Sequence, residues 1–322
     1  MAETSGLLNR RTGFTRTEGS NPSVSARARR CPAIARHYLA YDLVVRSGLA
    51  LPGGIPLESG DPRLAAGVDI EIVEGDAALP GIVRALGPYR LAGDSLSFEM
   101  PEIARYRCDA GARMIVERTG GTSESVAAHY LIATALPALL WMRGEIVLHA
   151  AAALLPGAAG AIAVGGASRS GKSTVLRQLV AAGASVVADD SVCLRFSGTD
   201  MTISGLAGGY FVAEADSTVS RRFESVPPER QIRAAPLAGL VMLGARLPSG
   251  APAFRALGGV AALEALLGSR HRPRIPTLLG NNKPMLPVLA RLSETQPIHL
   301  WNRREGAAAL DPNEVAWLTA RA

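Results

Sequence analysis

The chain has 322 residues, which is enough for one large or two medium domains, and we expect two. Its apolar content of 48% against 19% charged residues excludes a largely disordered protein. The net charge is +6, and six arginines against two glutamates place +4 of it within residues 1–30. The remainder is close to neutral, which argues against a nucleic-acid-binding domain.

Residues 1–35 are rich in Ser, Thr, Arg and Gly and are predicted to form a disordered basic tail. A transit peptide and a contact with a polyanion are the alternatives. Cys31, Cys108 and Cys193 have no metal-binding spacing and are typical of reduced thiols, so a cytoplasmic protein is expected. No apolar run reaches the ~18 uninterrupted residues of a transmembrane helix, so no membrane association is expected.

Residues 36–143 are predicted to form a β-rich recognition domain with a connecting helix. Turn signals rich in Gly, Pro and Asp separate short strands, several of which alternate with period two, and an antiparallel sheet is expected. The predicted strands cover residues 41–45, 68–73, 95–99, 104–108 and 112–116. Recognition of a substrate or partner and a purely covering role are equally compatible with this pattern. A helix is predicted from Ser123 or Thr122 to Trp141, kinked at Pro137.

Residues 144–322 are predicted to form the second domain, which begins with a strand over residues 145–152. A buried strand over 161–164 then leads into the P-loop pattern Gly-x4-Gly-Lys-Ser, from Gly166 to Ser173. A helix over 172–182 follows, with apolar residues on one face. Strand, glycine-rich turn and helix in this order are the context in which a P-loop binds phosphate.

The P-loop chemistry assigns a cofactor-binding role to every residue of the loop. Backbone N–H groups and the positive end of the following helix would hold the phosphates of a nucleotide. Lys172 would reach the β- and γ-phosphates, and the Ser173 hydroxyl would bind Mg2+. The predicted nucleotide-binding residues are Gly166, Ala167, Ser168, Arg169, Ser170, Gly171, Lys172, Ser173 and Thr174.

Two adjacent carboxylates follow the next buried strand, predicted over residues 184–188. Asp189 and Asp190 then lie at its carboxyl end, where α/β sheets place their chemistry. One carboxylate could hold Mg2+ while the other accepts a proton. The basic segment 270–274 could bind substrate or nucleotide, but a solvated loop is the preferred interpretation.

These residues resemble the catalytic domain of the HPr kinase/phosphorylase family. The resemblance rests on Leu148-His149, on the P-loop and on Val187-Ala188-Asp189-Asp190, and it extends most closely to stand-alone HPr-kinase-related proteins that modify ribosomal peptides such as lasso peptides. It implies a fold like that of phosphoenolpyruvate carboxykinase, with ATP and Mg2+ as cofactors and phosphoryl transfer to a serine hydroxyl.

Carried over to this chain, the resemblance makes Asp189, Asp190, His149 and Lys172 the candidate catalytic residues. Ser173, Asp189 and Asp190 become the candidate metal ligands. His149 is expected near the γ-phosphate or the Asp pair; without the resemblance, a hydrogen-bonded core histidine is the commoner interpretation. Arg169 departs from the family, which usually has glycine at this position, and an Arg-Gly-x-Gly signature downstream of the aspartates is missing.

The resulting expectation is an ATP-dependent serine kinase. The acceptor is a peptide or small protein, with a ribosomal (lasso) peptide precursor as the favoured case. A kinase for HPr or for a small metabolite is one alternative, and a nucleotide-gated binding module without turnover is another. Assembly into a homo-oligomer is left open.

Overall fold

The computed structural model describes residues 35–79, 81, 84–197, 200–213, 221–248, 253–306 and 309–322. The predicted basic tail, apart from Ala35, lies outside these residues. Residues 33–322 form one compact unit that contains two large sheets, so the protein is a mixed α/β structure. The boundary predicted at residue 143 stays a prediction.

The first sheet contains nine strands from residues 36–118. Their bounds are β1 Arg36–Ala40, β2 Leu43–Ser47, β3 Ile55–Leu57, β4 Ile70–Glu74, β5 Arg84–Leu86, β6 Tyr89–Ala92, β7 Ser95–Met100, β8 Ala104–Asp109 and β9 Arg113–Arg118. They lie in the order β3-β1-β2-β4-β9-β8-β7-β6-β5. The expected antiparallel pairing is wrong at the centre, where β4 runs parallel to both β2 and β9. Long connections on both sides of β4 permit this arrangement.

The strand predicted over residues 41–45 begins only at Leu43. Tyr41 and Asp42 have φ angles of 54° and 59° and form the two-residue turn of the β1–β2 hairpin. Positive φ at both central residues gives the turn a twist that matches the flanking strands. The turn also fixes Tyr41, whose hydroxyl hydrogen-bonds Ser191 beside the candidate site.

The connecting helix confirms the prediction for residues 122–142. It consists of α1 Glu124–Tyr130, a π-helical turn Leu131–Ala135 and α2 Leu136–Met142, with Ser123 as its N-cap. The π-helical turn lies directly before Pro137, whose missing N–H prevents regular helical hydrogen bonding. The span Glu124–Met142 is long and apolar enough to cross a membrane, yet 67% of its most apolar window is buried in the structure, as in a core helix.

The second sheet also contains nine strands. Their bounds are β10 Ile146–Leu148, β11 Ala150–Leu154, β12 Ala161–Gly165, β13 Ser185–Ala188, β14 Val192–Ser197, β15 Asp200–Ser204, β18 Ala234–Leu247, β19 Ala253–Leu257 and β20 Ile298–Arg304. The order is β10-β14-β15-β18-β12-β11-β13, with β20 on β18 and β19 on β20. The intervening strands β16 Gly209–Ala213 and β17 Arg221–Ser225 pair with each other as a separate antiparallel sheet.

Five helices accompany the second sheet. They are α3 Lys172–Ala181, α4 Gly259–Gly268, α5 Arg274–Leu279, α6 Asn282–Thr295 and α7 Pro312–Thr319. The first of them, α3, corresponds to the helix predicted over residues 172–182. Helix α3 buries Val175, Leu176 and Leu179 in a core that also contains Val164 and Trp301. This packing fixes the direction in which α3 leaves β12, and therefore the shape of the loop between them.

Candidate functional site

The loop between β12 and α3 has the backbone conformation of a phosphate cradle. Gly166 and Gly171 have φ angles of 139° and 97°, which L-residues with side chains rarely adopt. A Cβ atom on Gly171 would lie 2.9 Å from an Arg246 nitrogen, so that side chain would have to move. The glycine spacing recognised in the sequence therefore corresponds to two real backbone requirements, at the start and at the end of the loop.

Lys172 and Ser173 begin α3 and face the interior of the loop. The Lys172 Nζ donates to the carbonyl oxygens of Gly166 and Ala167, at 3.1 and 3.0 Å. The Ser173 Oγ donates to Asp189 Oδ1 at 2.9 Å. Lys172 is the P-loop lysine that reaches phosphate oxygens, and a hydroxyl against a carboxylate is a donor set that suits Mg2+.

Asp189 follows β13 and is 6% exposed. Its Oδ2 accepts from the backbone N–H of Phe211 at 2.9 Å, so both carboxylate oxygens have protein partners. Burial raises the pKa of Asp189 from 3.8 to about 6, and the nearby Asp190 adds to the rise, although the two hydrogen bonds oppose it. The carboxyl group is therefore held in place but is expensive to ionise.

Asp190 lies at the centre of a tight turn. Its φ is 67°, and the Ser191 N–H donates to the Asp189 carbonyl at 2.8 Å across it. Such three-residue turns with positive φ at the centre are rare and strained. The turn changes the direction of the chain after β13. As a result, the Asp190 side chain points toward His149 and His271.

His149 is one of those histidines. It lies between β10 and β11, which the sequence predicts as a single strand. Its backbone N–H donates to the Ser269 carbonyl. Its Nδ1 lies 3.0 Å from the Asp190 carbonyl oxygen and 3.5 Å from Asp190 Oδ1. Burial lowers the pKa of His149, so the neutral ring is favoured. The expectation that His149 lies near the Asp pair is met in the structure.

His271 is the second histidine, and the sequence analysis assigned it to a solvated basic loop. Its side chain is only 3% exposed, and its Nε2 lies 3.5 Å from Asp190 Oδ2. An isolated bridge between Leu148 and Arg270 brings the segment beside His149, and Trp141 Nε1 holds the His271 carbonyl at 3.0 Å. A histidine between arginines gives no sequence signal for burial, so only the tertiary structure reveals it.

The two histidines act on Asp190 in the opposite direction to burial. Burial alone would raise the pKa of Asp190, but the hydrogen bond from His271 and the charges of His271, His149 and Arg272 outweigh it and lower the pKa. The pKa values of the adjacent carboxylates therefore move apart: that of Asp189 is raised, and that of Asp190 is lowered.

All these groups border one cavity of about 920 Å³. Its wall includes the predicted residues His149, Gly166, Ala167, Ser168, Arg169, Gly171, Lys172, Ser173, Thr174, Asp189 and Asp190. The wall also includes His129, Phe211, Phe223, Arg270, His271 and Arg272. The volume is in the range of ligand-binding cavities, and polar groups converge on one side of it.

Ser170 is the predicted loop residue that does not line this cavity. Its carbonyl accepts from the Nη2 of Arg303 at 2.6 Å, and its Oγ has no hydrogen-bond partner among the described residues. Arg303 is 8% exposed, and burial together with the neighbouring Arg246 lowers its pKa to about 10. Arg303 therefore supports the loop from behind, a role that the sequence did not indicate.

Arg169 is exposed and has a φ of 64°, in the left-handed region. That conformation explains why glycine would be the ordinary residue at this position, since a side chain there adds roughly 1 kcal/mol of strain. The structure places the arginine on the cavity wall. Arg169 therefore belongs to the loop in which phosphates would be bound.

Comparison with known proteins adds little to this geometry. No family model matches the sequence, and no curated protein matches it. Among solved structures, the chain is similar to the Hpr(Ser) kinase/phosphatase from Coxiella burnetii, at 14% identity, with 54% of this chain and 86% of the other covered and a TM-score of 0.32. A TM-score this low carries no argument, and nothing in the comparison concerns peptide kinases. The site is interpreted from its own residues.

Proposed function

We propose that the protein is an ATP- and Mg2+-dependent kinase that phosphorylates a hydroxyl group. The observation that carries the proposal is the hydrogen bond between Ser173 and Asp189 at the mouth of the P-loop, with Lys172 beside it. A P-loop serine and a carboxylate at the end of the neighbouring strand are the pair that holds a nucleotide-bound Mg2+. Asp190 supplies a second, ionised carboxylate on the same cavity wall.

The residues have separate tasks in this mechanism. The loop N–H groups and Lys172 bind the β- and γ-phosphates, and Ser173 with Asp189 would hold Mg2+, which neutralises phosphate charge. Asp190 would accept the proton of the acceptor hydroxyl. The hydroxyl oxygen would form a bond to the γ-phosphorus of ATP, and the bond between that phosphorus and the leaving ADP oxygen would break. His149 and His271 orient the Asp190 carboxylate for this step. Most of the rate would come from positioning and charge stabilisation.

The acceptor that we propose is a serine hydroxyl on a peptide or small protein, with a ribosomal (lasso) peptide precursor as the favoured case. The support is the width of the cavity, because an ATP molecule fills only part of about 920 Å³. Pro52, Gly53 and Leu206, from outside the P-loop region, also border the cavity.

Transfer of label from γ-labelled ATP to a panel of precursor peptides, HPr and small hydroxyl compounds tests the proposal. Wild type should label at least one acceptor in the presence of Mg2+, and Lys172→Ala and Asp190→Asn should each lower the rate by 100-fold or more. Asp109→Asn removes a carboxylate on β8 that lies outside the cavity wall and serves as the matched control.

Two results would contradict the kinase assignment. Stabilisation of the protein by ATP without any transfer would indicate a nucleotide-gated binding module. Transfer that persists in Lys172→Ala would place the chemistry outside the P-loop. Labelling of HPr or of a metabolite, with no peptide labelled, would retain the kinase and refute the peptide acceptor.

A further inference from the structure

His149, Asp190 and His271 form a compact cluster of metal-binding side chains. One ring nitrogen from each histidine and one Asp190 oxygen all lie within 4.8 Å of one another. Two of the contacts are closer: His149 Nδ1 to Asp190 Oδ1 and His271 Nε2 to Asp190 Oδ2 are both 3.5 Å. Among the described residues, these three side chains form a group that could bind a metal ion through two imidazoles and one carboxylate.

The spacing matches the separation of donors around a tetrahedral metal ion. Metal–nitrogen and metal–oxygen bonds of about 2.0–2.2 Å at a tetrahedral angle place neighbouring donors roughly 3.4 Å apart. The two contacts at 3.5 Å are close to this value, but they involve different Asp190 oxygens, and the three donors as a set lie within 4.8 Å, so the side chains must close in slightly around an ion. Nitrogen donors favour zinc and related transition metals, whereas Mg2+ prefers oxygen. The cluster therefore differs in chemistry from the Ser173–Asp189 pair.

The scaffold holds both histidines before any ion is present. The backbone of His271 is fixed by its N–H on the Val147 carbonyl at 2.8 Å and by Trp141 on its own carbonyl. The backbone N–H of His149 donates to the Ser269 carbonyl, and the ring Nδ1 of His149 contacts the Asp190 carbonyl. An ion held through Nδ1 of His149, the nitrogen that lies 3.5 Å from Asp190 Oδ1, would replace the contact between Nδ1 and the Asp190 carbonyl.

We propose that His149, Asp190 and His271 bind a divalent transition-metal ion of the zinc type, separate from the Mg2+ expected at Ser173 and Asp189. Three protein ligands leave at least one coordination position, and this position opens to the cavity that all three residues border. A bound ion would occupy the Asp190 carboxylate. Zinc is then expected to inhibit any reaction in which Asp190 accepts a proton.

Calorimetric titration of the metal-free full chain with ZnCl2, without nucleotide, tests the site. Every protein would carry Cys31→Ser so that this thiol does not bind the probe. We expect one zinc ion per chain, with affinity lowered at least tenfold in His149→Ala and in His271→Ala. His129→Ala removes another histidine of the cavity wall, and Ser173→Ala removes the expected Mg2+ ligand; both should bind zinc like wild type.

A second measurement separates ligand loss from misfolding. Cobalt(II) bound by two histidines and a carboxylate gives visible absorption bands, which should be absent in His271→Ala while its far-UV circular dichroism matches that of wild type. Absence of zinc binding at one equivalent per chain, or unchanged affinity in a folded His271→Ala protein, would overturn the proposal. The titration uses no ATP, so its failure and that of the kinase proposal are independent.

Discussion

Replacement of Asp189 by Asn should make the protein more stable at neutral pH. Asp189 is buried, and its pKa is raised from 3.8 to about 6. The ionised carboxylate is therefore about 3 kcal/mol less favourable in the folded protein than in the unfolded chain. Asparagine can accept from the Phe211 N–H through its Oδ1 and donate to Ser173 through its Nδ2, so neither existing partner is lost.

The gain should depend on pH in a defined direction. A raised pKa means that the contribution of Asp189 to stability is fully present below pH 3.8 and is lost as the pH rises through about 6. The excess stability of Asp189→Asn over wild type should therefore be about 3 kcal/mol at pH 7.5 and about 1 kcal/mol at pH 4.5. Urea unfolding at the two pH values, without nucleotide or Mg2+, measures both quantities.

The neighbouring residue supplies an internal control of opposite sign. The pKa of Asp190 is lowered, so its carboxylate stabilises the folded protein above the unfolded-chain pKa and loses this effect only as the pH falls through the lower folded value. Asp190→Asn should thus destabilise the protein at pH 7.5 and at pH 4.5 alike. The reasoning is refuted if Asp189→Asn is no more stable than wild type at pH 7.5, or if its gain does not shrink at pH 4.5.

Three further substitutions test the loop and its surroundings. Arg169→Gly removes left-handed backbone strain of about 1 kcal/mol, but glycine also raises the entropy of the unfolded chain by a similar free energy, so the melting temperature should change little. The affinity for ATP should fall severalfold. Unchanged affinity in a titration with ATP would show that the guanidinium makes no phosphate contact. Gly171→Ala meets both a φ of 97° and the Arg246 side chain, so a loss of about 1–3 kcal/mol and of ATP-induced thermal stabilisation is expected. Tyr41→Phe leaves the buried Ser191 hydroxyl without its partner and should cost about 1–2 kcal/mol in urea unfolding.

The P-loop could be predicted from sequence because its constraints are local. Gly166 and Gly171 adopt φ values that favour glycine, and Lys172 and Ser173 are fixed by their place in the first turn of α3. The strand before the loop and the helix after it follow from apolar spacing, and both were found within one residue of their predicted bounds. Spacing of this kind survives in the sequence since no distant contact is needed to produce it.

His271 could not be predicted because its role depends on contacts far along the chain. Its partner Asp190 lies 81 positions earlier. The bridge from Leu148 to Arg270, which aligns the His271 segment with the end of β10, leaves no periodic pattern in the sequence. Flanking arginines made the segment look solvated. The central parallel pairs of the first sheet escaped prediction for a similar reason, since alternation along a strand reports burial and not the direction of its neighbour.

The turn centred on Asp190 explains why the adjacent aspartates have different surroundings. In a regular strand, two neighbouring carboxylates would point to opposite faces of the sheet. The positive φ of Asp190 gives each carboxylate its own partners: Asp189 has Ser173 and the Phe211 N–H, and Asp190 has two imidazoles. Their pKa values consequently move in opposite directions, which is a recognised basis for different chemical roles in a pair of carboxylates. An Asp-to-Asn change at the two positions should therefore never be equivalent, in stability or in phosphoryl transfer.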